Sequence, residues 1–246
     1  MDRDKHNIVA TFKATALDQD GSVLVEATVM MTIIFIFLLG GIDFLFAFYQ
    51  WNAASKAVQV GARIAAVADP VATGLFNLST NVVGGTVNPG DAMPQFTVTC
   101  PGTPGGTTCS CSPSSGCVGI GAAPTIDTNA LNAIVYGRGN SGSCNVPTSI
   151  YFVGMCSMFP GLTPSNVQIS YTQTGLGYAG RPGPVPTVQV SLVNVVFQYY
   201  FLGGLLGFGN VNIPPSATAP TTITAEGLSC NAQGFAGASG PNNSQC

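Results

Sequence analysis

The sequence predicts an α+β protein: a long N-terminal transmembrane and spine helix followed by a small, loop-rich, antiparallel β-sheet domain with disulfides. Three observations predict this class. A membrane-length apolar segment begins behind Gly21 and leads into an alanine-rich helical pattern. Short segments of alternating polarity follow, separated by glycine and proline. All eight cysteines lie in this second part of the chain.

Two carboxylates, Glu26 and Asp43, bound the apolar core of the segment, and no charged residue lies between them. A bilayer core about 30 Å thick requires about 20 apolar residues in a helix, and residues 22–49 supply that length. A charged side chain costs roughly 2.5–3.5 kcal/mol at the centre of a membrane helix, and less near its ends. We therefore interpret residues 22–49 as a membrane anchor with two functional acidic residues.

The segment does not resemble a cleaved secretory signal. Such a signal has an apolar core of about 7–15 residues that ends promptly at a small-residue cleavage site. The nearest Ala-x-Ala motif here, residues 66–68, lies far beyond the apolar run and inside a helical pattern. We therefore expect the anchor to be retained in the mature protein.

The helix is expected to continue to residue 68, where Asp69-Pro70 ends it. One helix over residues 22–68 would be about 70 Å long at ~1.5 Å per residue. Lys56, Gln59 and Arg63 lie off the face that should pack under the following domain. That face has the spacing of a 3.6-residue period and contains Ala54, Ala57, Val58, Gly61, Ile64, Ala65 and Ala68.

The remaining chain, residues 69–246, is expected to form the β-rich domain. Residues 128–136 predict a short helix with Asp127 as its N-cap. The glycine- and proline-rich residues 175–186 predict the loop of a hairpin. Alternating polarity predicts strands in residues 95–100, 167–171 and 188–192, and residues 221–225 are expected to form an edge strand.

A second apolar run occupies residues 195–208 and contains Gln198. Three interpretations are open: a core strand followed by an apolar loop, a second membrane span, or an exposed surface used in assembly. β-Branched and aromatic residues dominate the first half of the run, which favours the strand.

The cysteines predict disulfides in an oxidising compartment, because they are even in number and all follow the anchor. Eight cysteines allow 105 pairings, so the sequence does not select one. Zinc is the rival interpretation for Cys109, Cys111 and Cys117. The single histidine, His6, precedes the anchor, and no second ligand pair has suitable spacing, so we expect no metal site. The disulfide candidates are Cys100, Cys109, Cys111, Cys117, Cys144, Cys156, Cys230 and Cys246.

The region beyond residue 70 offers little that predicts catalysis. It has no histidine to activate a serine or cysteine nucleophile. Its carboxylates, Asp91, Asp127 and Glu226, are scattered along the sequence. Its basic residues are Arg138 and Arg181, which do not form a basic patch for nucleic acid. We therefore expect no enzyme, no cofactor and no nucleic-acid partner.

The start of the anchor resembles a known kind of processing site. Gly21-Ser22-Val23-Leu24-Val25-Glu26 is similar to a type IV prepilin peptidase site, cut after the glycine with glutamate fifth in the mature chain. The continuation, with Asp43-Phe44 and the triplet Gly61-Ala62-Arg63, resembles the TadE-like pseudopilin family of Flp (tight-adherence, Tad) pilus systems. Asp43 stands where that family more often has glutamate. Three later segments also resemble the family: residues 127–137, 160–167 and 187–192.

The resemblance implies a minor pseudopilin or assembly component of a Flp-type pilus. Prepilin peptidase would remove the leader, residues 1–21, and leave Ser22 as the new N-terminus. Glu26 would neutralise the N-terminal amine of its own chain or a neighbour; the alternative is that it only reaches the membrane interface. Asp43 would contact a partner or lie at the opposite interface. The implied partners are the membrane, other pilins and pseudopilins, the pilus assembly machinery and the peptidase.

The expected location is the bacterial inner membrane, crossed once with a cytoplasmic N-terminus. Residues 69–246 would then be periplasmic or extracellular, as the cysteines also indicate. The main alternative is a signal-anchored adhesin or ligand-binding module that uses the loops 101–124 and 175–186. The basic residues slightly favour the same orientation: Arg3, Lys5 and Lys13 precede the anchor, whereas Lys56 and Arg63 follow it.

Overall fold

One long helix, α1, occupies Arg3–Val67 in a computed structural model of the chain. It contains the predicted helix up to residue 67 and also runs through the predicted leader. The first proline is Pro70, so nothing interrupts the i→i−4 hydrogen bonds before that point. The hydroxyls of Thr28 and Thr32 donate to the carbonyls of Val25 and Thr28, both at 2.8 Å. These bonds satisfy polar side chains within an otherwise apolar stretch.

The described residues are 3–76, 88, 90–102, 105–117, 120–137, 142–144, 153–178, 183–201, 203, 210–213 and 220–224. The chain divides into two units. The anchor unit contains Met1–Phe48 and Gln198–Asn210, and the body unit contains Tyr49–Phe197 and Val211–Cys246. The predicted division into residues 1–21, 22–68 and 69–246 stays a prediction.

The body unit contains a five-stranded antiparallel sheet in the order β2-β1-β3-β6-β9. Two short ribbons accompany it, β4 with β5 and β7 with β8. The strands are β1 (Phe96–Cys100), β2 (Ser110–Ser112), β3 (Val167–Gln173), β4 (Gly177–Tyr178), β5 (Gly183–Pro184), β6 (Thr187–Leu192), β7 (Val195–Gln198), β8 (Asn210–Ile213) and β9 (Thr221–Thr224).

The predicted strands and their buried faces are confirmed. Side chains alternate between the core and the opposite face along both β3 and β6. These two strands are neighbours, and the glycine-rich loop between them carries the small β4–β5 ribbon. β9 lies at an edge of the sheet, as expected for the threonine-rich segment. On the less buried face, Thr99 and Ser170 share a 3.2 Å hydrogen bond between their hydroxyls.

Short helices complete the body unit: α2 (Thr73–Phe76), α3 (Thr128–Tyr136), α4 (Met155–Met158) and a 3-10 turn (Pro164–Asn166). The α3 helix has the predicted bounds and the predicted N-cap. The Asp127 carboxylate accepts from the backbone N–H of Asn129 at 2.8 Å and of Ala130 at 3.2 Å. It thereby satisfies two of the amides that the first helical turn leaves without partners.

The core of the body unit includes the predicted small-residue face of α1. Ala54, Ala57 and Ala65 are fully buried, whereas Lys56, Gln59 and Arg63 are exposed as predicted. The exception is Ile64, which is only partly buried. This face belongs to one apolar cluster with residues of the sheet and the short helices, among them Phe96, Val98, Ile134, Met155, Ile169 and Tyr171.

Gly61 has a packing reason for being glycine. A Cβ at this position would lie 2.8 Å from Cγ of Met155 and still closer to its sulfur. Met155, in α4, is itself fully buried. The helix therefore accepts a glycine in its interior, at a cost of about 1 kcal/mol relative to alanine, to admit the thioether of Met155.

Three disulfides close short loops in the body unit: Cys100–Cys109, Cys111–Cys117 and Cys144–Cys156. The first two tie down the low-complexity loop that follows β1, as predicted. They also occupy the sulfurs that a zinc site at Cys109, Cys111 and Cys117 would have used. Within the described residues, no three His, Cys, Asp or Glu side chains cluster as metal ligands would. Cys230 and Cys246 lie outside the described residues. The α+β class predicted from the sequence is confirmed.

Candidate functional site

The anchor unit contains the residues predicted to be functional, Gly21, Ser22, Glu26 and Asp43. Among the described residues, the stretch 21–67 is long and apolar enough to span a membrane. Nearly all of its large apolar side chains before Asp43 are exposed. A helix whose apolar residues face outward on every side is suited to lipid, not to water. The chain therefore has one N-terminal helix that fits a single-pass membrane protein.

Gly21, Ser22 and Glu26 lie on the exposed surface of α1, inside the helix. Ser22 and Glu26 are four residues apart, so they occupy the same face one turn from each other. Nothing lies within 4 Å of the position that a Cβ on Gly21 would occupy. Packing therefore does not require a glycine at this position. The roles predicted for these three residues stay predictions.

Asp43 is a buried carboxylate of the anchor unit. Its side chain is only 2% exposed, whereas that of its neighbour Phe44 is 69% exposed. Its Oδ1 accepts a hydrogen bond from the backbone N–H of Tyr200 at 3.2 Å, and its Oδ2 accepts from that of Phe201 at 2.9 Å. The carboxylate therefore binds two consecutive amides of a distant segment of its own chain. A role for Asp43 in membrane assembly stays a prediction.

An aromatic contact lies beside the carboxylate. The rings of Phe46 and Tyr200 are 5.1 Å apart between centroids and 68° apart in plane, an edge-to-face pair. Phe46 follows Asp43 by three residues, so both contacts with Tyr200 use one face of α1. Tyr200 and Phe201 were not predicted from the sequence as partners of Asp43. Both hydrogen bonds to Asp43 use backbone N–H groups of a segment about 157 positions away, so no side-chain pattern in the sequence marks them.

The second apolar run combines two of its three interpretations. Its first residues form β7, with Val195 buried, as the strand interpretation requires. The side chains of Tyr200 and Phe201 then remain 62% and 45% exposed, which agrees with an exposed apolar surface. A second span is wrong for residues 195–198, because they are a strand. Residues 202 and 204–209 lie outside the described residues.

The scattered carboxylates of the body unit have local structural roles where they are described. Oδ2 of Asp91 accepts from the backbone N–H of Asn88 at 3.2 Å in a turn, and Asp127 caps α3. Glu226, Arg138 and Arg181 lie outside the described residues.

Comparison with known proteins gives a family match within α1. Residues 21–63 match the family model described as TadE-like protein. The match begins at Gly21, includes Glu26 and Asp43, and ends at Arg63. The resemblance drawn from the sequence is confirmed over this segment, and it associates the chain with a pilus-related family. No curated protein and no solved structure matches the chain.

Proposed function

We propose that the protein, whose residues 21–63 are TadE-like, is a minor pseudopilin or assembly component of a Flp-type (Tad) pilus. In this proposal it is held in the bacterial inner membrane by α1 and processed by prepilin peptidase between Gly21 and Ser22. The observation that carries the proposal is the TadE-like match itself. Its first residue is the glycine after which the sequence pattern predicts cleavage.

The identity of residue 21 supports recognition by a peptidase. Glycine in a helix interior costs about 1 kcal/mol relative to alanine, and no neighbouring atom would contact a Cβ on Gly21. At Gly21 no packing contact offsets this cost. At Gly61, by contrast, the Met155 side chain occupies the space that a Cβ would fill. Gly41 is equally open, so recognition by the peptidase depends on the position of Gly21 directly before the prepilin-like residues 22–26.

Glu26 supports a contact between subunits. Its side chain is exposed on a helix surface that is otherwise apolar around it. In lipid, an ionised carboxylate at this position needs a partner. After cleavage, the amine of Ser22 would lie one turn away on the same chain, and the amine of a neighbouring pilin would be an equivalent partner. Cleavage would therefore neutralise this charge if the amine of the same chain is the partner, and assembly would do so if the neighbour supplies the amine.

The disulfides support an extracytoplasmic body unit. Three pairs form within the described residues, at Cys100–Cys109, Cys111–Cys117 and Cys144–Cys156. Such bonds persist in oxidising compartments and are rare in the cytosol. The N-terminus would then be cytoplasmic, where prepilin leaders are removed, and the body unit would lie in the periplasm or outside the cell.

The test is the N-terminal residue of the membrane-extracted protein, determined by mass spectrometry from cells with and without prepilin peptidase. We expect a start at Ser22 that depends on the peptidase and is lost in Gly21→Ala. Gly41→Ala is the matched control, because Gly41 is also a helical glycine with nothing within 4 Å of its Cβ position. This control should be processed normally.

An intact leader in cells that contain the peptidase would contradict the proposal. The alternative, a signal-anchored adhesin or ligand-binding module, would then be favoured. It predicts that the purified exported domain binds a ligand without any pilus protein.

A further inference from the structure

We propose that Asp43 holds residues 199–201, here called the aromatic arm, against α1 as a second membrane contact. In this arrangement Tyr200 and Phe201 lie in the lipid interfacial region at the far end of the span. The proposal requires that α1 crosses a membrane. It does not require pilus assembly or leader cleavage, so it can fail or succeed independently of the proposed function.

The depth of Asp43 places the arm at an interface. Asp43 follows Gly21 by 22 residues in one continuous helix, which corresponds to about 33 Å at ~1.5 Å per residue. The hydrocarbon core of a bilayer is about 30 Å thick. With the Gly21 end at one boundary of the core, Asp43 and the amides bound to it lie at the other boundary.

The backbone of the arm can enter this region because its amides have partners. In the hydrocarbon region each unsatisfied N–H costs several kcal/mol, so irregular backbone occurs there only where protein satisfies it. Tyr200 and Phe201 lie outside helices and strands, yet both donate their N–H groups to Asp43. The same two bonds stabilise the carboxylate, which is 2% exposed on a lipid-facing helix. The two hydrogen bonds therefore lower the cost of placing both the Asp43 carboxylate and the backbone of the arm near lipid.

The side chains of the arm have the chemistry of the lipid interface. Tyrosine is enriched at membrane boundaries because its ring is apolar and its hydroxyl is polar. The ring of Tyr200 contacts the ring of Phe46 in an edge-to-face pair, and Tyr200 remains 62% exposed. No charged residue occurs between Arg181 and Glu226, so the sequence around the arm carries no charge that would oppose entry into the interface. These properties favour lipid as the partner of the arm.

The proposal can be tested with tryptophan reporters in the full-length protein. Trp51 is the single tryptophan, so Trp51→Phe gives a silent background. One reporter is Tyr200→Trp. The reference is Phe35→Trp, because Phe35 is exposed on α1 in the middle of the span. Each protein is placed in phosphatidylcholine vesicles whose acyl chains carry a nitroxide quencher at a shallow or a deep carbon.

We expect the reporter at position 200 to be quenched more by the shallow label than by the deep one. The reference at position 35 should show the opposite order. Absence of quenching at position 200 by either label would overturn the proposal, since it would mean that water or protein surrounds the arm. Stronger quenching by the deep label would also overturn it, because the arm would then lie in the hydrocarbon core.

The role of Asp43 is tested in the same assay. Asp43→Ala removes both acceptors and should abolish the shallow quenching at position 200. Asp43→Asn keeps one acceptor oxygen and should retain part of it. Quenching at position 35 should be unchanged in both variants, which shows that α1 still spans the bilayer. Unchanged quenching at position 200 in Asp43→Ala, or an equal loss at both reporters, would refute the assigned role of Asp43.

Discussion

The backbone N–H of Val71 donates a 3.0 Å hydrogen bond to the phenolic oxygen of Tyr171, one hundred residues further along the chain. Tyr171 is the largest fully buried side chain among the described residues. It lies in β3, at the centre of the sheet. Val71 comes shortly after the end of α1. The bond therefore fixes the exit of the long helix to the middle strand.

Tyr171→Phe should destabilise the body unit by about 1–3 kcal/mol at neutral pH. The substitution leaves the buried amide of Val71 without an acceptor, and an unsatisfied buried donor costs about that much. Chemical denaturation of the full chain in detergent micelles measures the free energy of unfolding. The control is Tyr49→Phe at an exposed position, which should change it by less than about 0.5 kcal/mol. Equal effects of the two substitutions would contradict this role of Tyr171.

The stability of the body unit should fall at alkaline pH. Burial raises the pKa of Tyr171, and the hydrogen bond from Val71 lowers it by a smaller amount. The unfolded tyrosine has a pKa of about 10, so above that pH the unfolded chain loses a proton that the folded chain keeps. Above pH ~10 the free energy of unfolding should then fall by up to about 1.4 kcal/mol per pH unit. Below pH ~9 the contribution of Tyr171 should not change with pH. A Tyr171→Phe protein with the same slope would contradict the assignment.

Gly61→Ala should destabilise the protein by about 1–3 kcal/mol, as overpacking does. The new Cβ would collide with the buried Met155 side chain. In a Met155→Ala background the collision is absent, so the same change should stabilise the helix by about 1 kcal/mol. A double-mutant cycle on the free energy of unfolding measures this reversal of sign. Additive effects would show that the two residues do not compete for space.

Peptide mapping under non-reducing conditions should recover Cys100 with Cys109, Cys111 with Cys117, and Cys144 with Cys156. Replacing both Cys100 and Cys109 by alanine should lower the free energy of unfolding by about 2–4 kcal/mol, because the unfolded chain gains freedom. The same variant should be less sensitive to reductant than the wild type. Recovery of a Cys100–Cys117 peptide would contradict the pairing.

Glu26→Ala should leave membrane insertion intact and impair pilus assembly. Removing a charge makes an apolar helix easier to insert, whereas the proposed contact with a pilin amine is lost. Carbonate extraction measures insertion, and electron microscopy counts pili. Val25→Ala changes a neighbouring exposed residue without altering charge and should assemble normally. Normal pilus numbers in Glu26→Ala would contradict the contact with a pilin amine. The remaining interpretation would be that Glu26 only reaches the membrane interface.

Local patterns predicted the local features of the fold. Alternation at a period of two was sufficient for β3 and β6, and Asp127 marked the start of α3, because both signals depend on neighbours in sequence. The contact between Asp43 and Tyr200 joins residues 157 positions apart, and no periodicity encodes such a distance. The disulfide pairs were similarly underdetermined, since eight cysteines allow 105 pairings. Long-range contacts thus required the structure.

The strand order also limits the order in which contacts can form while the chain is being synthesised. β1 pairs with β3, whose residues are made some seventy positions later, so β1 stays without its central neighbour until most of the body unit has emerged. The loops closed by Cys100–Cys109 and Cys111–Cys117 span nine and six positions, and loops this short close quickly. Oxidation of these two pairs can therefore precede completion of the sheet. The glycine- and serine-rich loop after β1 can thus be covalently closed before β3 joins the sheet.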